Sequence, residues 1–112
     1  MNRYLDLVER LKESVLNSRG DTDPALRRAV EARTAELSGE PGAPAGEIPP
    51  GLREHVDKIA RHAYTITDED VAALKAAGWS EDAIFEISIA AALGAGVARL
   101  ERGLSALRGV TP

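Results

Sequence analysis

The chain has no cysteine. That single absence removes disulfides, thiolate nucleophiles, thiol redox couples and sulfur-ligated metal sites. Aromatic residues make up only 4% of the chain, so the interior has to be assembled from Leu, Val, Ile and Ala. Richness in Ala favours helix. No excess of positive charge exists. The net charge is -4, and residues 1–50 and 51–112 each carry seven Lys/Arg against nine Asp/Glu. With no basic tail or stripe, the electrostatic footprint of nucleic-acid binding is missing. No stretch alternates apolar and polar residues with period two, so no strand is predicted and no Gly-rich phosphate loop follows one. No repeat of solenoid period is present. The opening MNRYLDLVERLKESVL is broken by charges and holds no apolar run of signal-peptide length. The least charged window contains Glu86 and Arg99 and is dominated by Gly and Ala, a poor membrane span. The expected compartment is the cytoplasm.

What remains is a globular composition, 44% hydrophobic and 29% charged, over a length that suits one domain spanning residues 1–112. Residues 3–17 read as an amphipathic helix with Tyr4, Leu7, Val8, Leu11 and Val15 on one face, stopped near Gly20 acting as a left-handed cap. Asp23-Pro24 starts a second helix, because Asp caps well and Pro is favoured at the first helical position. Its stripe is Leu26, Val30, Arg33 and Leu37, and Arg33 is expected to reach an acid or to extend to solvent along its stem. Ser38 to Pro50, with three Gly and four Pro in thirteen residues, reads as a connecting loop. A third helix from Leu52 to about Ala63 carries Leu52, Val56, Ile59, Ala60 and Ala63, with His55 and His62 along one edge. Thr67 caps a short fourth helix opened by Asp68, Glu69 and Asp70 and closed at Gly78. Ser80-Glu81-Asp82 repeats the device for a last helix reaching about Leu107 or Arg108, some 42 Å long at 1.5 Å per residue. The predicted fold is all-α with about five helices.

The last helix is apolar nearly all round. Between Ala83 and Ala98 its only charge is Glu86, while Ile84, Phe85, Ile87, Ile89, Leu93 and Val97 point in several directions. A helix apolar on every side has to be covered on every side. Four other helices can hardly do that, so homo-oligomerisation through residues 81–108 is expected. Ala90, Gly94 and Ala98, four apart, form a bare face that invites close approach by a second helix.

Thr65-Ile66-Thr67-Asp68-Glu69-Asp70-Val71, the Ala-Gly turn, Ser80-Glu81-Asp82-Ala83-Ile84 and the Ala-rich helix closing near Arg99-Leu100 resemble the end of the carboxymuconolactone decarboxylase-like, or alkylhydroperoxidase D-like, helical family. Residues 25–39 look like a worn version of the helix that leads to that family's active site. The resemblance implies a bundle of this kind and an oligomeric habit. Peroxidase members carry a glutamate, Cys-x-x-Cys and a histidine there. Arg28, Glu40, Ala43 and Glu47 occupy those places here, with Glu31 one turn from the glutamate position. Thiol peroxidase activity is excluded by composition.

For other chemistry, His55, His62, Tyr64 and Glu86 are the candidate pocket residues. The two histidines are about 10.5 Å apart along the helix axis, too far to chelate one metal ion between them. Glu86, if buried and unpaired, would have a raised pKa and could act as general acid or base with His62 and Tyr64. The bland alternative is pairing with Arg33 or Lys75. Trp79 reads as a packing plug. The acidic runs Asp68–Asp70 and Glu81–Asp82 read as helix-start charges and not as calcium loops. No cofactor or metal is expected. The leading expectation is a non-catalytic, self-associating helical protein. The alternative is a cofactor-free, decarboxylase-like enzyme or small-ligand binder using the His/Tyr/Glu pocket.

Overall fold

The computed structural model describes residues 3–39 and 47–109. Among them are five α-helices and no strand: α1 (Arg3–Asn17), α2 (Pro24–Leu37), α3 (Pro50–His62), α4 (Asp68–Ala76) and α5 (Glu81–Leu107), with a 3-10 turn at Ala63–Thr65. Residues 40–46 of the predicted Pro/Gly loop, with the family positions at Glu40 and Ala43, lie outside the described residues. So does the side chain of Tyr4. Pro50, expected in the loop, is instead the first residue of α3, where its missing N–H costs nothing.

The helix boundaries follow the local chemistry. The Asp23 carboxylate accepts from the Ala25 N–H at 2.8 Å, and Pro24 opens α2. Thr67 and Asp70 form a reciprocal capping box on α4: the Asp70 N–H donates to the Thr67 hydroxyl and the Thr67 N–H to the Asp70 carboxylate. The far end of α4 closes with Gly78 at φ +105 and the Trp79 N–H donating to the Leu74 carbonyl, the Schellman pattern. Ser80 caps α5 by accepting from the Ala83 N–H at 3.0 Å.

The helix α5 is the axis of the fold, and α2 is its principal neighbour. Ile84, Ile87, Ala90, Ala91, Ala95 and Ala98 turn inward against Val30, Leu52, Val56 and Ile59. By length and composition α5 could cross a membrane, but half of its most apolar window is buried by the other helices. Gly94 explains the tight α2–α5 approach. A Cβ there would fall inside van der Waals contact of the Thr34 hydroxyl and the Glu31 backbone. The bare Ala90-Gly94-Ala98 face, read from sequence as the seat of a second copy, is therefore filled by α2 of the same chain. The short side chains let the two backbones come together, and the dispersion contacts offset the helix-propensity cost of Gly.

Two apolar stripes also sit differently from the sequence expectation. On α2 the buried face runs through Arg27, Val30 and Thr34; Leu26, Arg33 and Leu37 are only partly covered. Among the described side chains of α1, Leu16 is the buried one. Leu7 and Leu11 are 53% and 51% exposed. Trp79 packs partly buried against the core, and Ile48 plugs it at 4% exposure just before α3.

Candidate functional site

The four polar candidates from the sequence lie in separate places. His55 is buried on α3, with Nε2 3.0 Å from the Ser88 hydroxyl of α5. It lines a cleft with Lys58 and Asp70, which pair at 2.8 Å. Burial pushes the His55 pKa down; nearby Asp70 opposes this and Lys58 adds to it. His62, the last residue of α3, and Tyr64, in the 3-10 turn after it, are both exposed, with ring centroids 5.9 Å apart in an edge-on arrangement, and Tyr64 is 86% exposed.

Glu86 faces neither histidine, nor Arg33 or Lys75. Its Oε1 accepts from the Thr22 hydroxyl at 2.6 Å and the Thr22 N–H at 2.9 Å, and Oε2 accepts from the Asp21 N–H at 2.8 Å. Burial raises its pKa, but these three donors and the charge of Arg27 outweigh that and hold it below the ordinary value. The condition for a raised pKa, a buried and unpaired carboxylate, is therefore not met: the three donors favour the charged form, and Glu86 clamps the loop between α1 and α2. Gly20 sits beside it. It is not a left-handed cap, since among the described residues the glycines of positive φ are Gly39, Gly78 and Gly109. It is small because a Cβ at residue 20 would stand 2.5–2.7 Å from the Glu86 carboxylate atoms.

The other half of that clamp has no sequence signal beyond a helical spacing to Val30 and Thr34. Arg27 is 2% exposed. Its guanidinium donates to the carbonyls of Val15 (2.7 Å), Ser18 and Thr22, which satisfies the end of α1 where no basic residue lies in the last turn. Arg33 does reach an acid, pairing with Asp57 through Nε at 3.0 Å and Nη2 at 2.9 Å. Of the family-register positions, Glu31 lies 3.9 Å from Lys12 and Arg28 donates to Asn17 at 2.6 Å. Both hold α1 against α2.

The remaining feature is apolar. Between α1 and α5 runs a groove of about 410 Å³, walled by Leu7, Leu11, Leu93 and Leu100 and floored at Gly96. Phe85 (66% exposed) and Ile89 (39%) continue the same face of α5 toward its N-terminus. Gly96 and Gly103 are on this outward side, and a Cβ on either would meet nothing within 4 Å. Unlike Gly94, they have no neighbour among the described residues that requires their smallness. Among the described residues, no group of three or more His, Asp or Glu is placed to hold a metal ion. Comparison of the chain with protein-family models, with curated proteins and with solved structures finds no match.

Proposed function

We propose that the protein is a self-associating, non-catalytic helical domain whose working surface is the α1–α5 face. One observation carries the reading. Leu7, Leu11, Phe85, Ile89 and Leu100, each 39–66% exposed, form a continuous apolar strip along two adjacent helices. Exposed apolar strips of this kind often mark interaction sites. The outward glycines support it: each costs roughly 1 kcal/mol against Ala in a helix, and a close external neighbour offsets that. Separation of the four polar candidates removes the support that a converging His/Tyr/Glu pocket would have given a cofactor-free enzyme. A resemblance to the alkylhydroperoxidase D-like bundle, without its thiol chemistry, fits the capped α4, the Gly-Trp turn and the long α5. It belongs to the same proposal, as does a cytoplasmic setting, supported by the part-burial of α5 within its own chain.

Sedimentation velocity across micromolar concentrations tests the reading. Assembly is expected, and Leu11→Glu, which places a charge on the strip, should shift the chain toward monomer. A wild-type monomer up to 100-fold above the lowest concentration measured would overturn the proposal.

A further inference from the structure

Along the outward face of α5, the large residues Phe85 and Ile89 come first, and the small residues Ala92 and Gly96 follow them toward the C-terminus. Phe85 and Gly96 are eleven residues apart, about three helical turns, so they share one azimuth with a rise of about 16 Å between them. A ridge and a notch of matching position are thus built into the same helix. Pairing α5 with a parallel copy in register would set Phe85 against Phe85 and leave the notch at Gly96 empty. An antiparallel copy sets large against small at every step.

Resting on the self-association proposed above, we infer that the partner is a second copy docked across a two-fold axis, its α5 antiparallel. Phe85 of each copy seats on Gly96 of the other, and Ile89 on Ala92. A contact of this kind is isologous and closes on itself. Charge agrees with this register. Glu81 and Arg99 are eighteen residues apart, five full turns, and so occupy the same flank of the strip. With Phe85 opposite Gly96, Glu81 of one copy falls within about one residue's rise of Arg99 of the other, twice by symmetry. Arg99 donates to the Ala60 carbonyl, which keeps its guanidinium at the edge of the face and not over it. In the parallel alternative, the acidic start of α5 (Glu81, Asp82) would meet its own copy, and Arg99 would meet Arg99. The groove that receives Phe85 is walled by Leu7 and Leu11 of α1, so α1 is part of the docking surface.

Absence of native cysteine makes the test clean. In the double variant Phe85→Cys/Gly96→Cys the two thiols of one chain are too far apart to bridge, since a disulfide needs Cα atoms within about 7 Å. Mild oxidation should give one covalent dimer band on a non-reducing gel. Each single variant alone should stay uncrosslinked, and a mixture of the two should give the dimer. Sedimentation of each variant before oxidation shows whether it still assembles, and circular dichroism whether it still folds. A ladder of trimers and higher species from the double variant would replace the two-fold contact with a head-to-tail one and overturn the inference. Crosslinking of either single variant with itself would do so in favour of a parallel pair. Assembled protein that gives no crosslink overturns the register alone, leaving self-association standing. Wild-type protein that is monomeric overturns both.

Discussion

The Glu86 carboxylate fills the space that a side chain on Gly20 would need, with its atoms 2.5–2.7 Å from the position of a Cβ there. From that position it receives the Asp21 and Thr22 N–H groups and the Thr22 hydroxyl. Gly20→Ala should therefore push the carboxylate off its donors. Leaving buried donors unmet costs about 1–3 kcal/mol, which urea unfolding of the variant should register. An unchanged midpoint would mean that the loop shifts freely and that the clamp contributes little.

Glu86 also sets an acid limit. Its pKa is depressed in the folded state, so its contribution to stability is complete above the ordinary value of 4.5 and is lost as pH falls through the lower folded value. Asp57, depressed chiefly by its hydrogen bond from Arg33, acts in the same direction. Glu86→Gln should be destabilised at pH 7, with the difference from wild type shrinking below pH 4.5. Thermal melts between pH 2.5 and 7 measure this.

His55 works in a higher window. Burial depresses its pKa below the ordinary 6.5, so folding favours the neutral ring. Stability is complete above 6.5 and declines as pH falls from there toward the folded pKa. The ring resonances followed by NMR should titrate with a midpoint below 6.5, and His55→Gln should remove this part of the pH dependence. A midpoint above 6.5 would contradict the burial argument.

Arg27 should be the most sensitive charged position. Arg27→Met keeps much of the volume but strands the part-buried Val15 and Ser18 carbonyls, and a loss of about 1–3 kcal/mol is expected. Arg27→Lys should recover only part, because a point donor cannot reproduce the planar fork. Amide exchange should rise first at the end of α1.

Two glycines two residues apart, on opposite sides of α5, should respond oppositely. Gly94→Ala drives a methyl into Thr34 and the Glu31 backbone, an overpacking cost of about 1–3 kcal/mol. Gly96→Ala meets nothing among the described residues and should stabilise the dilute monomer by about 1 kcal/mol through helix propensity. Denaturant unfolding below the association range checks both.

Much of the fold was legible because it is locally encoded. Asp23-Pro24, Thr67 with Asp70, Gly78 and Ser80 each act within four residues of themselves, and the helices start and stop where those residues place them. The pairing of Arg33 with an acid was legible in kind, since a charge within an apolar stripe needs a partner or an exit; Asp57 as the partner was not. The site was legible only in outline. Composition pointed to α5 as a surface seeking cover, but the face chosen from sequence, Ala90-Gly94-Ala98, is the one α2 occupies.

The sequence by itself determined an all-helical chain without thiol chemistry, the starts of α2, α4 and α5 and the excess of apolar surface on the last helix. Hydrogen-bonded caps and 3.6-residue periodicity act over a few residues and can be read in one dimension. Only the tertiary structure decided which face of α5 is inward, that Arg27 is buried while Leu7 and Leu11 are not, and that Glu86 holds a distant loop instead of joining the histidines. Those outcomes depend on how close two backbones can come. That distance is set jointly by side chains far apart in the chain, as Gly94 and Thr34 do for α5 and α2, and as Gly20 and Glu86 do for the loop.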